Sequence, residues 1–448
     1  MCSVWRRGMA VAGAAAVLTG VLAAPGAAAG PAGSAGPAVE VEIPGPEHGA
    51  AAGSGRARVP RGGRDRPSPR LSAAEKAADG TVTRLLDNGS TGDRLDVVVV
   101  GDGYTAAELD RFRADAKKMW AELSDVEPYT TYQGLFNVWT VDAVSNQSGV
   151  SGDPGPDAVR DTALGSYFWC DDIERLLCVD QAKVDGYVAK VPEADLVVVI
   201  ANSAKYGGAG YNEPSETLGY EGISTASAGN QQSGRVAIHE TGHSLGKLAD
   251  EYFYPDSPGF EEYTGPEVPD ANLSVLTAGD MAGRRAKWHR WLGEHSPDGG
   301  TVGTYEGGGY FARGLYRPTD DSLMRSLGKP FNLPGVEAMI AGFHRHARLV
   351  TAVTPTERLL RLSATARVSV PRLTGAGERP LRTRWYLDGR ELKPLAGRTR
   401  VRVSDLFPWL LDLRTHKLSV TVENPTAAVR DPEIAGTLRS TVGWDVRL

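Results

Sequence analysis

Residues Ala237 to Tyr252 read AIHETGHSLGKLADEY. His239 and His243 are four apart, so on a helix they share one face and can aim their imidazoles at one point. Val236, Ala237, Ile238 and Leu245 give that helix an apolar flank, which places it in the interior. Two histidines and Glu240 buried there need partners, because desolvating an unpaired polar group is costly. A metal ion is the natural one. Zn–N bonds of about 2.0–2.1 Å suit two imidazoles one helical turn apart. Glu240, one step round the helix, can reach a water on the metal without ligating it, as a general base does. A chain with this helix must therefore fold so that a third ligand reaches the buried face and one position stays open.

That third ligand has to come soon after. Gly246 permits the left-handed turn that ends the helix and redirects the chain. Metzincin peptidases place a histidine three residues beyond such a glycine, but here the position is Ala249, which cannot ligate. Asp250 comes next, and a carboxylate oxygen is an accepted zinc ligand. Asp250 is the leading candidate. Glu251 is the alternative, or a residue supporting the ligands from behind, and Glu261 and Glu262 stand further downstream. The expected centre is one catalytic Zn²⁺ held by His239, His243 and Asp250.

The beginning of the chain points to export. Trp5-Arg6-Arg7 is a short cationic start, Met9 to Leu22 an apolar run, and Ala27-Ala28-Ala29 a small-residue cleavage site. Residues 1–29 therefore read as a signal peptide rather than a membrane span. No later segment has about 18 consecutive apolar residues, so no membrane anchor is expected. The two remaining cysteines, Cys170 and Cys178, favour a disulfide in an exported chain. A net charge of −6, with acidic and basic residues interspersed, gives no face for nucleic acid.

Residues 30–79 are rich in Gly, Ala, Pro and Arg and read as a disordered linker or propeptide. They hold no cysteine for a thiolate latch; Asp65, between Arg64 and Arg66, is an acidic residue there that could reach a metal. Order is expected from 80 to 352. Leu95–Val100 and Ala194–Ile200 are apolar strands, and Ala106–Leu123, Gly234–Leu248 and Pro334–Leu349 have helical periodicity. Residues 255–320 look mostly like loop, with a short helix near Met281–Leu292. From 356 to 448 the pattern alternates in the β manner, over Leu359–Val370, Arg382–Leu387, Thr399–Val403 and Lys417–Val422. That suggests a small, immunoglobulin-like β-sandwich, which could carry a surface or glycan ligand.

The long motif His239 to Tyr252, HExxHxxGxxxDEY, resembles the bacterial metallopeptidase family whose founding member cleaves immunoglobulin A. VVVVGDGYT at Val97–Thr105, WCDDIERLLC at Trp169–Cys178, NSAKYGGAG at Asn202–Gly210, YEGGGYFARGLYRP at Tyr305–Pro318 and SLMRSL at Ser322–Leu327 are similar to that family too. The resemblance spans roughly residues 80–350. It departs at Ser322 and Asn332, near the methionine segment, where many members have cysteines. It implies an α/β, metzincin-like catalytic domain with a cleft between two subdomains. Tyr206, Gly207, Gly208, Ala209 and Gly210 would form the edge strand that pairs an extended substrate, with the glycines letting it come close. Met324, in preference to Met281, would form the methionine turn beneath the metal. Tyr316 or Tyr310 would be the candidate oxyanion donor.

These readings converge on a secreted zinc endopeptidase acting on polypeptides, with Glu240 as general base. The rivals are a non-catalytic zinc-containing binding protein and a hydrolase of cell-wall peptide. An open metal position, tested with a hydroxamate, separates the first rival from a peptidase.

Overall fold

Leu95–Asp102 (LDVVVVGD) and Leu196–Ala201 (LVVVIA) are buried along their whole length. Continuous β-branched runs of this kind belong at the centre of a sheet covered on both faces. The computed structural model describes residues 38–45, 55–62, 71–255, 258–375 and 379–447 and has them there. The large sheet comprises β1 (Ala38–Glu42), β2 (Arg56–Pro60), β3 (Val82–Leu86), β4 (Leu95–Asp102), β5 (Phe136–Val141), β6 (Leu196–Ala201), β7 (Gly208–Tyr211) and β8 (Ile223–Ser227). Their order is β2-β1-β7-β8-β6-β4-β5-β3. Strands β5, β4, β6 and β8 run parallel to their neighbours within that set. Strands β3, β7 and β1 join antiparallel, which makes the sheet mixed.

The helices are α1 (Ala73–Ala78), α2 (Leu109–Ser124), α3 (Tyr129–Tyr132), α4 (Gln181–Val188), α5 (Ser233–Gly246), α6 (Ala278–Arg284), α7 (Leu333–His346) and α8 (Pro432–Thr437). Alternation along β4 sorts them into layers. Val97 and Val99 pack with Phe112 and Met119 of α2, Val236 and Ile238 of α5, and Met339 and Phe343 of α7. Val98 and Val100 face the other way, into a cluster with Val184 and Val188 of α4 and Val39, Val41 and Val59 of β1 and β2. Burying each such side chain contributes about 1.5–3 kcal/mol, so this layering fixes where α5 lies.

Several elements differ from the sequence-based expectation. Residues 30–79 were expected as disordered linker or propeptide, yet β1, β2 and α1 form within them. The reason is local: Val39, Val41 and Ile43 alternate with Glu40 and Glu42, and that apolar face is buried. The signal-peptide segment 1–29 and Asp65 lie outside the described residues. In the stretch expected as loop, β9 (Tyr305–Gly308) and β10 (Phe311–Arg317) form an antiparallel pair. Gly246 was expected to take the left-handed turn after α5, but Lys247 takes it, at φ 50°. Gly246 is small for another reason, because a Cβ there would lie 2.7 Å from Met339 Sδ of α7.

Beyond α7 the chain forms two small antiparallel sheets. One has β11 (Thr351–Ala352), β12 (Thr365–Ser369) and β15 (Arg400–Arg402); the other has β13 (Arg382–Leu387), β14 (Arg390–Glu391), β16 (His416–Glu423) and β17 (Arg439–Val446). Trp385 and Trp444 stack at 5.9 Å between centroids. Their apolar residues join the same cluster as α2, α5 and α7. The described residues therefore belong to one compact unit.

Candidate active site

Helix α5 is buried almost throughout, as its apolar flank requires. His239 Nδ1 donates to Leu323 O at 3.1 Å, and His243 Nδ1 to Leu248 O at 2.6 Å. A carbonyl only accepts, so each Nδ1 carries the proton and each Nε2 keeps its lone pair. The two Nε2 atoms are 3.2 Å apart. Asp250 Oδ1 completes a triangle, 3.0 Å from His239 Nε2 and 3.5 Å from His243 Nε2. Tetrahedral bonds of about 2.0–2.1 Å require ligand separations of about 3.3–3.4 Å, so these three edges fit one small cation. Among the described residues this is the one such group of histidine, cysteine and carboxylate ligands.

The surroundings suit a cation too. Neither Glu240 oxygen nor Asp250 Oδ1 has a hydrogen-bond partner among the described residues, although all are buried. Burial pushes the Glu240 carboxyl up to about 8. Burial also opposes charge on the imidazoles, but Asp250 offsets this, so His239 and His243 are both raised. The buried field of Asp250 that draws protons toward these groups is one that a divalent ion would satisfy in their place.

Asp250 reaches the triangle because Lys247 turns the chain back and Asn272 grips the backbone at Ala249. Asn272 accepts from Ala249 N and donates to Ala249 O, both at 2.8 Å. Glu251 lies outside that triangle. It accepts from Ser322 Oγ at 2.7 Å, Asn332 Nδ2 at 2.8 Å and Asn272 Nδ2 at 2.9 Å. Ser322 and Asn332 thus clamp the residue beside Asp250. Glu261 and Glu262 are exposed and outside the triangle.

Met324 lies beneath α5, since a Cβ on Gly242 would meet Met324 Sδ at 2.7 Å. Its neighbour Leu323 holds His239, and Met324 O accepts from Glu251 N at 2.8 Å. Met281 packs elsewhere, with Trp288 and Trp291. Of the two tyrosine candidates, Tyr310 comes to the site, with Oη 2.6 Å from Asp250 Oδ2. Tyr316, the first choice from sequence, does not. Its backbone pairs with Ser274, while the inward position of that strand is Leu315. Cys170 and Cys178 form a disulfide.

Strand β7 runs beside α5, and Glu240 lies against it: a Cβ on Gly210 would fall 2.1 Å from Glu240 Oε2. The upstream glycines are small for packing rather than for an open approach. A Cβ on Gly207 would meet Arg175 O at 2.3 Å, and one on Gly208 would meet Thr225 O at 2.4 Å. Nor is β7 a free edge, because β1 pairs with it through Glu42 opposite Gly210. Glu42 and Tyr252 were not foreseen at the site. The Val-Glu-Val-Glu-Ile alternation was the available signal for the strand that brings Glu42 there.

No curated protein matches the chain significantly. A family model described as IgA Peptidase M64 matches residues 83–300 and 294–343, a span that includes β7, all of α5, Asp250 and Met324. That span covers more than half of the sequence and all three of His239, His243 and Asp250, and the chain belongs to the IgA peptidase M64 family.

Proposed function

We propose that this peptidase is a secreted, zinc-dependent endopeptidase in which His239, His243 and Asp250 hold the ion and Glu240 is the general base. The observation that carries the reading is the ligand triangle, with edges of 3.0, 3.2 and 3.5 Å and free lone pairs at its corners. When bound, zinc supplies Lewis acidity, lowering the pKa of a water and polarising the scissile carbonyl. The chain's own groups do the rest. Leu323 O and Leu248 O fix the imidazole tautomers. Glu240, whose oxygens have no partner among the described residues, takes the proton of the attacking water and passes it to the leaving nitrogen. The backbone at Gly210, where β1 pairs with β7, is the strand position beside that carboxylate at which an extended peptide would add in place of β1. Tyr310, hydrogen-bonded to Asp250, orients the third ligand. The cationic, apolar and small-residue succession at the N-terminus and the disulfide support export.

The test is Glu240→Ala, studied by native mass spectrometry and by a peptide-library digest with and without chelator. We expect the variant to keep one zinc and to lose hydrolysis by about 10²–10⁴-fold. Hydrolysis at the unsubstituted rate would remove Glu240 from the mechanism. A chain that takes up no stoichiometric metal would remove the whole reading.

A further inference from the structure

Strands β1 and β2 close over the ligand triangle. β1 lies antiparallel beside β7 with Glu42 opposite Gly210, the residue against which Glu240 rests. Past Glu42, three successive carbonyls are each held by a different side chain. Ile43 O accepts from Tyr252 Oη at 3.2 Å, Pro44 O from Arg175 Nε at 2.7 Å and Gly45 O from Tyr206 Oη at 2.6 Å. Capture of main-chain groups in series, by a strand edge and flanking donors, is how an extended peptide is held whatever its side chains.

Both strands of the hairpin also meet at Tyr310. Its hydroxyl, 2.6 Å from Asp250 Oδ2, contacts Glu42 Oε2 and lies 3.3 Å from Gly55 O. Glu42 is only 6% exposed, and Arg56 Nε donates to its other oxygen at 2.9 Å. The Glu42 carboxylate is thus one hydroxyl away from the third ligand without belonging to the ligand triangle. A cavity of about 490 Å³ opens beside Asp250, lined by Phe260, Tyr263, Leu273 and Phe311, with Glu40 and Arg56 of the hairpin in its wall.

We propose that β1–β2 is a built-in occupant of the substrate cleft, so that the chain as folded is latent and a peptide reaches Gly210 and Glu240 only after the hairpin leaves β7. This rests on the peptidase reading. A purely architectural hairpin would also bury Val39, Val41 and Val59, but it would have no need to engage Tyr252, Tyr310, Arg175 and Tyr206 around the ligand triangle.

The test uses the zinc-loaded chain without its signal segment, and two ways of displacing the hairpin. In Gly55→Val the new Cβ would fall 1.9 Å from the Tyr310 ring, which forces the hairpin and that ring apart while leaving His239, His243 and Asp250 unsubstituted. In the second, residues 63–70 are replaced by a site-specific protease sequence, and the folded chain is cut and freed of the released segment. The readouts are the affinity of a peptide hydroxamate by calorimetry, the rate of zinc loss to a chelator, and hydrolysis of a peptide library. A closed cleft lowers apparent affinity by the fraction of open chain, so both forms should bind the hydroxamate at least about tenfold tighter and lose zinc faster. Tighter binding without any hydrolysis upholds the occupied cleft and sinks the peptidase reading. Hydrolysis and hydroxamate affinity equal in intact and displaced chains sink the occupied cleft and leave the peptidase reading standing. If the cut chain aggregates, folded Gly55→Val decides, and an unchanged affinity there overturns the proposal.

Discussion

At the scale of the residue, what distinguishes this site is the work done by groups outside the triangle of His239, His243 and Asp250. Glu251 adjoins Asp250, yet its carboxylate is spent on Ser322, Asn332 and Asn272, and its own N–H reaches Met324 O. It therefore ties the segment carrying Asp250 to the loop that holds His239 through Leu323. Removing it would leave two amide groups and a hydroxyl buried without their acceptor, each worth about 1–3 kcal/mol. Glu251→Ala is expected to lose about 3 kcal/mol in urea denaturation and to bind zinc about 10–100-fold more weakly, as loss of an outer-shell partner does. The conservative Glu251→Gln should recover part of both, since one oxygen remains to accept. An alanine variant with unaltered zinc affinity would show that Glu251 supports the fold only.

At the scale of the element, α5 depends on being able to sit directly on its neighbours. Gly242 meets Met324 Sδ and Gly246 meets Met339 Sδ, each with 2.7 Å to a notional Cβ. Gly242→Ala should overpack the first contact and cost about 1–3 kcal/mol despite alanine's better helix propensity. Shortening the partner ought to relieve it. In the pair Gly242→Ala with Met324→Ala, thermal denaturation is expected to give a loss smaller than the two single losses summed. Strict additivity would mean that the helix does not rest on Met324. The contrast between local and distant contacts also explains why the motif could be read from sequence and much of the cleft could not. His239, Glu240 and His243 obey a helical period, and Asp250 lies within a few residues of them, so local geometry sufficed. Tyr310 reaches Asp250 across 60 residues of chain, and Glu42 reaches Tyr310 across 268, for which no local spacing gives a clue. The β1 strand was obscured by its composition, since its apolar alternation covers only Val39, Val41 and Ile43 amid Gly, Ala and Pro. Tyr316 was preferred to Tyr310 because spacing along the chain does not show the bend between β9 and β10, where Tyr310 sits at φ 75°.

At the scale of the whole molecule, the site is held in a unit whose far parts are cross-braced. Asn424 Nδ2 donates to Tyr132 Oη at 2.8 Å, and Glu337 Oε1 accepts from Arg430 N and Asp431 N, both at 2.6 Å, so the C-terminal sheets are anchored to α3 and α7. The end of α7 is fastened to the large sheet by charge. His346 Nδ1 lies 2.8 Å from Asp195 and Nε2 2.9 Å from Glu221, which also pairs with Lys247, just past α5, at 2.6 Å and with Arg345 at 3.2 Å. Glu193 adds a further negative field. Burial alone would lower the imidazole's pKa, but hydrogen bonds to Asp195 and Glu221 outweigh it and hold His346 at about 9, against 6.5 ordinarily. Because the folded state binds this proton more tightly, the stabilisation is complete below pH 6.5 and is lost as the pH rises through about 9. For Glu221 burial raises the pKa, yet His346 and Lys247 take it well below its ordinary 4.5, so its share is present above pH 4.5 and lost as the pH falls beneath the carboxylate range. The brace is therefore at full strength between pH 4.5 and 6.5. His346→Gln should cost about 1.5–3 kcal/mol near pH 6, where charged hydrogen bonds are lost, and far less near pH 10, where the wild-type imidazole is neutral as well. Urea denaturation of both chains across that range gives the difference directly. A gap that stays constant with pH would mean that His346 braces α7 by packing, without its charge.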